Sequence, residues 1–157
     1  MVKFAHQAQF HPLKFTGAIA GGLRICEHTK VLELGPGKAG TNGRTVSAEK
    51  IIVATHFPLL NKHCSYFLRL YQNRSYVLAL QNAPDVGGMY LDEDEKGLSF
   101  QNYGDLLLLG GGSHRTGKRG GGWQELERFA GRRYPDAQET VRWATQDCMI
   151  LDGVSLY

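Results

Sequence analysis

The chain has few cysteines, and they show no regular spacing. Its three cysteines, Cys26, Cys64 and Cys148, are far apart, and none belongs to a C-x-x-C pair. An odd number of distant cysteines indicates neither a disulfide framework nor a structural zinc site, so no metal is expected. We therefore predict a reducing compartment, the cytoplasm.

Long apolar runs and dense basic segments are also missing. No apolar run approaches the ~20 residues that cross a bilayer, so we expect no membrane span. The net charge of +3 comes from Lys and Arg scattered along the chain. Such scattered charge does not follow a phosphate backbone, so the sequence does not indicate a nucleic-acid partner.

The composition that is present fits one globular domain over residues 1–157. The chain has 157 residues, of which 42% are hydrophobic and 21% charged, which suffices for one ordinary core. Its 20 glycines are numerous and clustered. We expect the clusters, including Gly110 to Gly112 and Gly120 to Gly122, to mark turns between elements.

The stretch LLLLGGGSHRTGKRGGG, residues 106–122, comes within one residue of the phosphate-binding loop G-x-x-x-x-G-K-[ST]. Arg119 occupies the position of the hydroxyl that binds magnesium, and Gly120 to Gly122 delay the helix that should face the anion. The sequence therefore predicts a glycine-rich connection after a strand and no binding of ATP or GTP.

The first third of the chain predicts a helix followed by strands. A helix should begin at Pro12 and end at Gly21-Gly22. Residues 23–34 resemble a strand pair with one covered face, and Asn42-Gly43 is typical of a tight hairpin turn. The uninterrupted run Ile51 to Val53 predicts a strand buried on both faces.

The rest of the chain predicts an antiparallel sheet with one amphipathic helix. Residues 65–82 alternate apolar and polar side chains, and residues 87–94 and 98–112 contain short apolar runs separated by turns. Trp123, Leu126, Phe129 and Ala130 have helical spacing, so a helix is expected over 123–134, before Pro135. The predicted class is α/β (α+β), with a mixed, mostly antiparallel sheet and a few packing helices.

Several motifs, taken in order, resemble one family. They are AQFHPLKF, IIVATHFP, YFLRLYQNRSYVLAL, GGMYLD, LLLLGGGSHRTG and RYPDAQETVRWATQDCMILDGVSLY. Together they resemble the FAD-dependent oxidoreductases of the D-amino-acid oxidase and glycine oxidase superfamily, which oxidise amines and amino acids. The resemblance implies a central piece of such an enzyme, with FAD as its cofactor. It also implies the fold of the family's substrate-binding domain.

The chain departs from this family at both ends. The family opens with a strand, G-x-G-x-x-G and a helix that hold the FAD pyrophosphate, and we expect this segment to be absent here. We expect the family's segment after DGVSLY to be absent too. By this resemblance, residues 1–58 would join the FAD-binding domain and residues 59–157 would form the substrate-domain sheet.

The resemblance also implies candidate site residues. Those expected near the flavin, which the family's matching positions approach, are Val31, Ala54, Thr55, His56, Asp152 and Gly153. For each of them, an ordinary strand or turn role is the alternative.

A second set is expected near the substrate: His11, Arg74, Tyr76, Trp143 and Gln146. An arginine suits a substrate carboxylate, although strand arginines are more often simply solvated. His114 follows three glycines, and we expect it to be exposed in a turn.

Two functions follow as hypotheses. The first is a piece of an FAD-dependent oxidoreductase that transfers a hydride from a C–N bond of an amine or amino acid to flavin. This piece is expected to be colourless and inactive alone and to bind FAD only weakly. The second is a stand-alone binding or interaction module without catalysis. In either case an uncovered apolar face is expected to favour self-association or a partner domain.

Overall fold

The computed structural model describes residues 2–3, 6, 8–57, 68–94 and 97–151. These residues form two compact units, one made of Met1–Gln7 and Leu68–Tyr157 and the other of Ala8–Phe67. The helices and strands, in chain order, are β1 (Val2–Lys3), α1 (Pro12–Ala20), β2 (Val31–Gly35), β3 (Lys38–Thr41), β4 (Thr45–Ser47), β5 (Leu70–Gln81), β6 (Tyr90–Leu91), β7 (Ser99–Tyr103), β8 (Leu106–Arg115), α2 (Gly122–Arg133) and β9 (Gln138–Ile150).

The larger unit is a six-stranded sheet with the order β1-β6-β7-β8-β5-β9. Every strand pair in the described part of the chain is antiparallel. With helix α2 packed on this sheet, the chain has an α+β fold, which confirms the predicted class.

The core lies between the sheet and α2. Successive strand side chains alternate between faces, so β5 and β8 each contribute every second residue to the face under the helix. Leu78, Leu107, Leu109 and the helix residue Leu126 are fully buried there. Tyr76, Leu80, Phe100 and Ala130 complete the buried cluster.

Helix α2 forms where the apolar spacing predicts it. Leu126 and Ala130 face the core, and Trp123 and Phe129 pack against it. Glu125 in the first turn and Arg132 in the last turn carry the charges that the helix dipole favours. The predicted helix 123–134 is thus confirmed, with its start and its end each one residue earlier.

A β-bulge interrupts β8. Tyr76 pairs with Gly111 and Arg74 pairs with His114, so two residues of β8 stand opposite Ser75 alone. Gly112 lies in the bulge with φ +62°. This left-handed conformation favours glycine and is typical of one bulge class.

The bulge corrects two expectations from the sequence. Gly110 to Gly112 do not form a turn, because they lie inside β8 and are buried. His114 is in the same strand and half-buried, so the prediction of an exposed turn histidine was wrong. The chain turns only after Arg115, which agrees with a glycine-rich strand rather than a phosphate-binding loop.

The smaller unit contains α1 and a three-stranded sheet, β2-β3-β4. Helix α1 begins at Pro12 and ends before Gly21, as predicted. Asn42-Gly43 connects β3 to β4, as the hairpin motif predicts.

Two strand predictions in the smaller unit were wrong. Within 23–34 only Val31 onward is a strand, and Leu23 and Ile25 are exposed. Ile51 to Val53 form no strand, and Ile52 is 90% exposed. An apolar run alone does not supply the neighbouring strand whose hydrogen bonds a buried strand requires.

Candidate functional site

Polar side chains gather around Tyr76 on the helix-covered face of the large sheet. Tyr76 is 7% exposed, and its Oη lies 3.1 Å from Nε2 of His114. The bulge in β8 brings His114 to this face, directly opposite Arg74 on β5. When the tyrosine hydroxyl donates to Nε2, the neutral imidazole carries its proton on Nδ1.

Trp123 and Arg74 complete this group. The Trp123 ring meets the Tyr76 ring edge to face, with centroids 4.8 Å apart and an interplanar angle of 72°. The guanidinium carbon Cζ of Arg74 lies 5.7 Å from the Tyr76 ring centroid. We refer to Arg74, Tyr76, His114 and Trp123 as the Tyr76 cluster.

Glycines fix the position of His114. A methyl group on Gly120 would overlap the imidazole ring, and one on Gly112 would overlap the carbonyl oxygen of Gly122 at the start of α2. The segment between β8 and α2 can therefore lie against the ring only because these two residues have no side chain.

Three nitrogen atoms of the cluster lack a hydrogen-bond partner. They are Arg74 Nε, His114 Nδ1 and Trp123 Nε1, all buried, and no acceptor for them lies in the described part of the chain. A buried donor without a partner costs about 1–3 kcal/mol, so such groups are uncommon in folded proteins. Three around one tyrosine mark this cluster as the candidate functional site.

The neighbouring charges do not satisfy these donors. Cζ of Arg142 lies 5.5 Å from the Trp123 ring centroid. Its guanidinium nitrogens lie 2.5 and 2.6 Å from the Glu139 carboxylate oxygens and 2.8 Å from Glu127. The Glu139 hydrogen bond raises the pKa of Arg142 above its ordinary value. Both carboxylates are therefore paired with Arg142.

Among the predicted substrate residues, Arg74, Tyr76 and Gln146 share one face. Gln146 lies opposite Arg74 on β9, and its Nε2 donates to Thr116 Oγ1 at 3.0 Å. Trp143 pairs with Val77 and so lies on the other face of the sheet. We expected both Trp143 and Gln146 near the substrate, but they lie on opposite faces, because they are an odd number of residues apart on a regular strand.

His11 and Val31 belong to the smaller unit. His11 caps α1, where its Nδ1 accepts a hydrogen bond from the Lys14 backbone N–H at 3.3 Å. With Phe10, Lys14 and Phe15 it lines an open cavity of about 550 Å³. Val31 is half-buried at the start of β2.

Ala54, Thr55 and His56 are exposed and lie outside any strand. Thr55 Oγ1 donates to the Phe57 carbonyl at 2.7 Å, and His56 has φ +63°. This is a tight polar turn with a backbone conformation that is uncommon for histidine. Asp152 and Gly153, the other two predicted flavin-facing residues, lie outside the described residues.

The glycine spacing of the dinucleotide-binding motif G-x-G-x-x-G occurs once in the sequence, although we expected the motif to be absent. Gly35, Gly37 and Gly40 match G-x-G-x-x-G. However, Gly35 ends β2 and Gly40 lies in β3, so the motif spans a hairpin with no helix after it. A helix N-terminus is what neutralises a pyrophosphate, so this hairpin is not a dinucleotide site.

Sequence reasoning missed two members of the cluster, His114 and Trp123. Trp123 was recognised only as a residue of the amphipathic helix, and His114 only as a turn residue. The available signal was the glycine pattern itself, since Gly110 to Gly112 followed by Ser-His indicates a strand that another segment approaches closely.

No group of three or more His, Cys, Asp or Glu side chains that could hold a metal ion occurs among the residues described. Over the same residues, no helix is long and apolar enough to cross a membrane.

Comparison with solved structures shows which known fold this chain shares. No protein-family model matches the chain. Glycine oxidase from Geobacillus kaustophilus superposes with a TM-score of 0.66 over 87% of this chain and 40% of its own, at 19% sequence identity. The chain has the fold of part of glycine oxidase.

A relative matched by sequence is described as an iron–sulfur protein rather than a flavoprotein. The putative Rieske 2Fe-2S iron-sulfur protein YhfW of Bacillus subtilis (strain 168) is 31% identical over 166 residues, which cover 95% of this chain. The chain spans 33% of that relative's length.

The described residues do not fit either implied cofactor. Cys26 and Cys148 belong to different units, and no described cluster could ligate an iron–sulfur centre. For FAD, the hairpin at Gly35 to Gly40 offers no helix N-terminus to the pyrophosphate. Residues outside the described part would have to supply the iron ligands or the pyrophosphate site.

Proposed function

We propose that this chain forms the substrate-facing sheet of an FAD-dependent oxidoreductase that acts on amines or amino acids in the cytoplasm. The reaction is hydride transfer from a C–N bond to flavin. The observation that carries the proposal is the superposition on glycine oxidase over 87% of the chain. A longer protein, of which this chain is a part, would bind the flavin and carry out the reaction.

The arrangement of the larger sheet supports a role in binding substrate. Three nitrogens around Tyr76 lack a hydrogen-bond partner, namely Arg74 Nε, His114 Nδ1 and Trp123 Nε1, which is unusual for a purely structural sheet. In flavin-dependent oxidation the protein mainly orients the substrate and excludes water, so a site of fixed donors suffices. Gln146, which shares this face, and His11 remain proposed substrate contacts, whereas Trp143 lies on the opposite face and is no longer proposed.

The proposed flavin contacts are Val31, Ala54, Thr55 and His56, together with Asp152 and Gly153 by resemblance alone. The exposed, hydrogen-bonded turn at Thr55 is open to a ligand or to another segment. A positive φ at His56 adds to this proposal because strained residues are common at functional sites.

The second candidate is a non-catalytic binding module, and exposed apolar residues favour it. On α1, Leu13 is 79% exposed, Ile19 61% and Phe15 56%. We propose that another part of the longer protein or a second copy covers this helix. Size-exclusion chromatography tests this: a monomer that does not change on Leu13→Ser would count against self-association.

An absorbance spectrum together with an analysis of iron and sulfide distinguishes flavin chemistry from iron–sulfur chemistry. The longest natural protein that contains this chain should show a flavin spectrum that amine or amino-acid substrates bleach without oxygen. This chain alone should be colourless, because its described residues provide no pyrophosphate site. Iron and acid-labile sulfide without flavin would contradict the proposal and favour the chemistry named for the YhfW relative.

A further inference from the structure

We propose that the outer edge of strand β9 pairs with the same edge of a second copy of this chain, antiparallel and with Thr145 at the two-fold axis. The larger sheets of the two copies would then join into one continuous sheet. This interface requires no flavin and goes beyond the proposed function.

The first argument is that the edge is long and unprotected. Strand β9 has 13 residues, and among the described residues no strand lies on its outer side. Natural proteins usually protect such an edge with proline, lysine or a bulge. Residues 138–150 contain neither proline nor lysine, and from Val141 to Ile150 the pairing with β5 is regular. An edge about 40 Å long without these features is suited to pair with another strand.

The hydrogen-bond pattern identifies the backbone groups that this edge presents. The Leu151 N–H donates to the Arg69 carbonyl, so these residues form a hydrogen-bonded pair at the end of the ladder between β5 and β9. Such pairs alternate along an antiparallel ladder. Thr145 is an even number of residues before Leu151, so its backbone bonds to β5. The backbone N–H and C=O groups of Ala144 and Gln146 therefore point outward.

This alternation restricts how two copies can pair. With the axis at Thr145, Ala144 of each copy lies opposite Gln146 of the other, so outward groups meet outward groups on both sides of the axis. Thr145 then lies opposite its own copy in a pair that exchanges no hydrogen bonds, with Cα atoms about 4.5 Å apart. Every contact occurs twice, as in any two-fold interface.

The exposed apolar residues of β9 favour this register. Val141, Trp143 and Met149 are exposed and share the face of the sheet opposite α2. With the axis at Thr145, Val141 lies opposite Met149 of the second copy, and Trp143 lies diagonally beside that methionine. The pairing thus covers apolar surface of both copies, which is why the proposed occupant of this edge is a second copy.

Neighbouring registers are less favourable. An axis at Ala144 would place Val141 opposite the Asp147 carboxylate of the second copy. An axis at Gln146 would place Val141 beyond the end of the second copy's strand, because β9 ends at Ile150. An axis between two residues would bring outward groups against groups that already bond to β5.

The first test is size-exclusion chromatography with light scattering on the full chain at increasing concentration. The unaltered chain should form dimers. Thr145 is exposed, and Thr145→Lys should weaken dimerisation roughly tenfold because two cations would lie directly opposite each other. Thr145→Glu should weaken it similarly. An equal mixture of the two variants should dimerise at least as well as the unaltered chain, because a lysine then faces a glutamate.

Two control variants exclude other causes. Gln124→Lys adds the same charge at an exposed residue of α2 and should leave dimerisation unchanged. Leu13→Ser, on the exposed face of α1, should also leave this dimer unchanged.

A cross-link tests the register directly. Thr145→Cys should form a disulfide-linked dimer in air, since the expected Cα spacing lies within the range of disulfides. Thr140→Cys, on the same strand, should give no more cross-linked dimer than the unaltered chain. If Thr145→Lys does not fold, this cross-link decides the question. The same cross-link should form in the longest natural protein that contains this chain.

Four outcomes would overturn the proposal. They are a chain that stays monomeric up to millimolar concentration, a mixture of the lysine and glutamate variants that does not dimerise, a dimer that only Leu13→Ser disrupts, and no cross-link at Thr145→Cys in the longest natural protein. The last outcome would show that another segment pairs with β9. None of these measurements involves flavin, so each outcome leaves the proposed function to its own test.

Discussion

The Tyr76 hydroxyl and Nε2 of His114 lie 3.1 Å apart, although the two residues come from neighbouring strands and are separated by 38 positions in the sequence. The contact exists because the bulge in β8 adds one residue and so turns the His114 side chain toward the helix-covered face. The cluster thus depends on strand register as much as on the kinds of residues present.

Removal of this hydroxyl should destabilise the larger unit. Tyr76→Phe deletes a hydrogen bond and leaves Nε2 of His114 without its partner, at a cost of about 1–3 kcal/mol in the free energy of unfolding. Urea unfolding followed by tryptophan fluorescence measures it, since both tryptophans lie in the larger unit. Tyr134→Phe is the control, because the described residues show no hydrogen bond to its hydroxyl. Equal stabilities of the two variants would contradict the contact.

The bulge glycine should not tolerate a side chain. Gly112→Ala places a methyl group in a left-handed conformation, which costs ~1–2 kcal/mol, and also overlaps the Gly122 backbone. Gly117→Ala is the matched control, with φ +82° and open space around it. We expect Gly112→Ala to lower the free energy of unfolding clearly more than Gly117→Ala. A smaller loss for Gly112→Ala would show that α2 does not pack on the bulge.

Sequence patterns predicted α2, the first helix and the Asn42-Gly43 hairpin because their signals are local. Caps, turn residues and helical spacing act over a few positions and need no knowledge of distant partners. The face occupied by His114 was not predictable in this way. If the side chains of β8 alternate strictly from Leu107 onward, His114 falls on the face away from α2. Only the pairing of β8 with β5 reveals the extra residue that turns His114 to the helix-covered face.

The run Ile51 to Val53 was misread for a related reason. Apolar character favours burial, but burial of a strand also requires a neighbour that pairs with its backbone. The described residues provide no such neighbour, and the run is exposed. The apolar run itself carries no information about which distant residues could pair with its backbone.

The helix core should depend on Leu126. Its side chain is fully buried between α2 and the sheet, so Leu126→Ala should cost about 2–5 kcal/mol through lost burial and the cavity left behind. Leu91→Ala, at a leucine that is 54% exposed on the same sheet, should cost far less. Urea midpoints of the two variants provide the comparison. Similar losses in both would contradict the position of α2.

The two tryptophans should differ in solvent access. Trp143 is 38% exposed, whereas Trp123 is half-buried against Tyr76. Acrylamide should therefore quench the fluorescence of Trp123→Phe, which retains Trp143, more steeply than that of Trp143→Phe. If acrylamide quenches Trp143→Phe more steeply, Trp123 is the more accessible tryptophan and does not pack against Tyr76.

Strand β8 also determines which kinds of genetic change this region tolerates. Loss of one glycine codon within Gly110 to Gly112 would leave the neighbouring amino acids unaltered but remove the extra residue of the bulge. His114 would nevertheless stay opposite Arg74, because β8 would then pair with β5 residue by residue without a bulge. Gain of one glycine codon there would have the larger effect. With a bulge that still absorbs one residue, Ser113 would lie opposite Arg74 and the imidazole of His114 would point to the other face of the sheet.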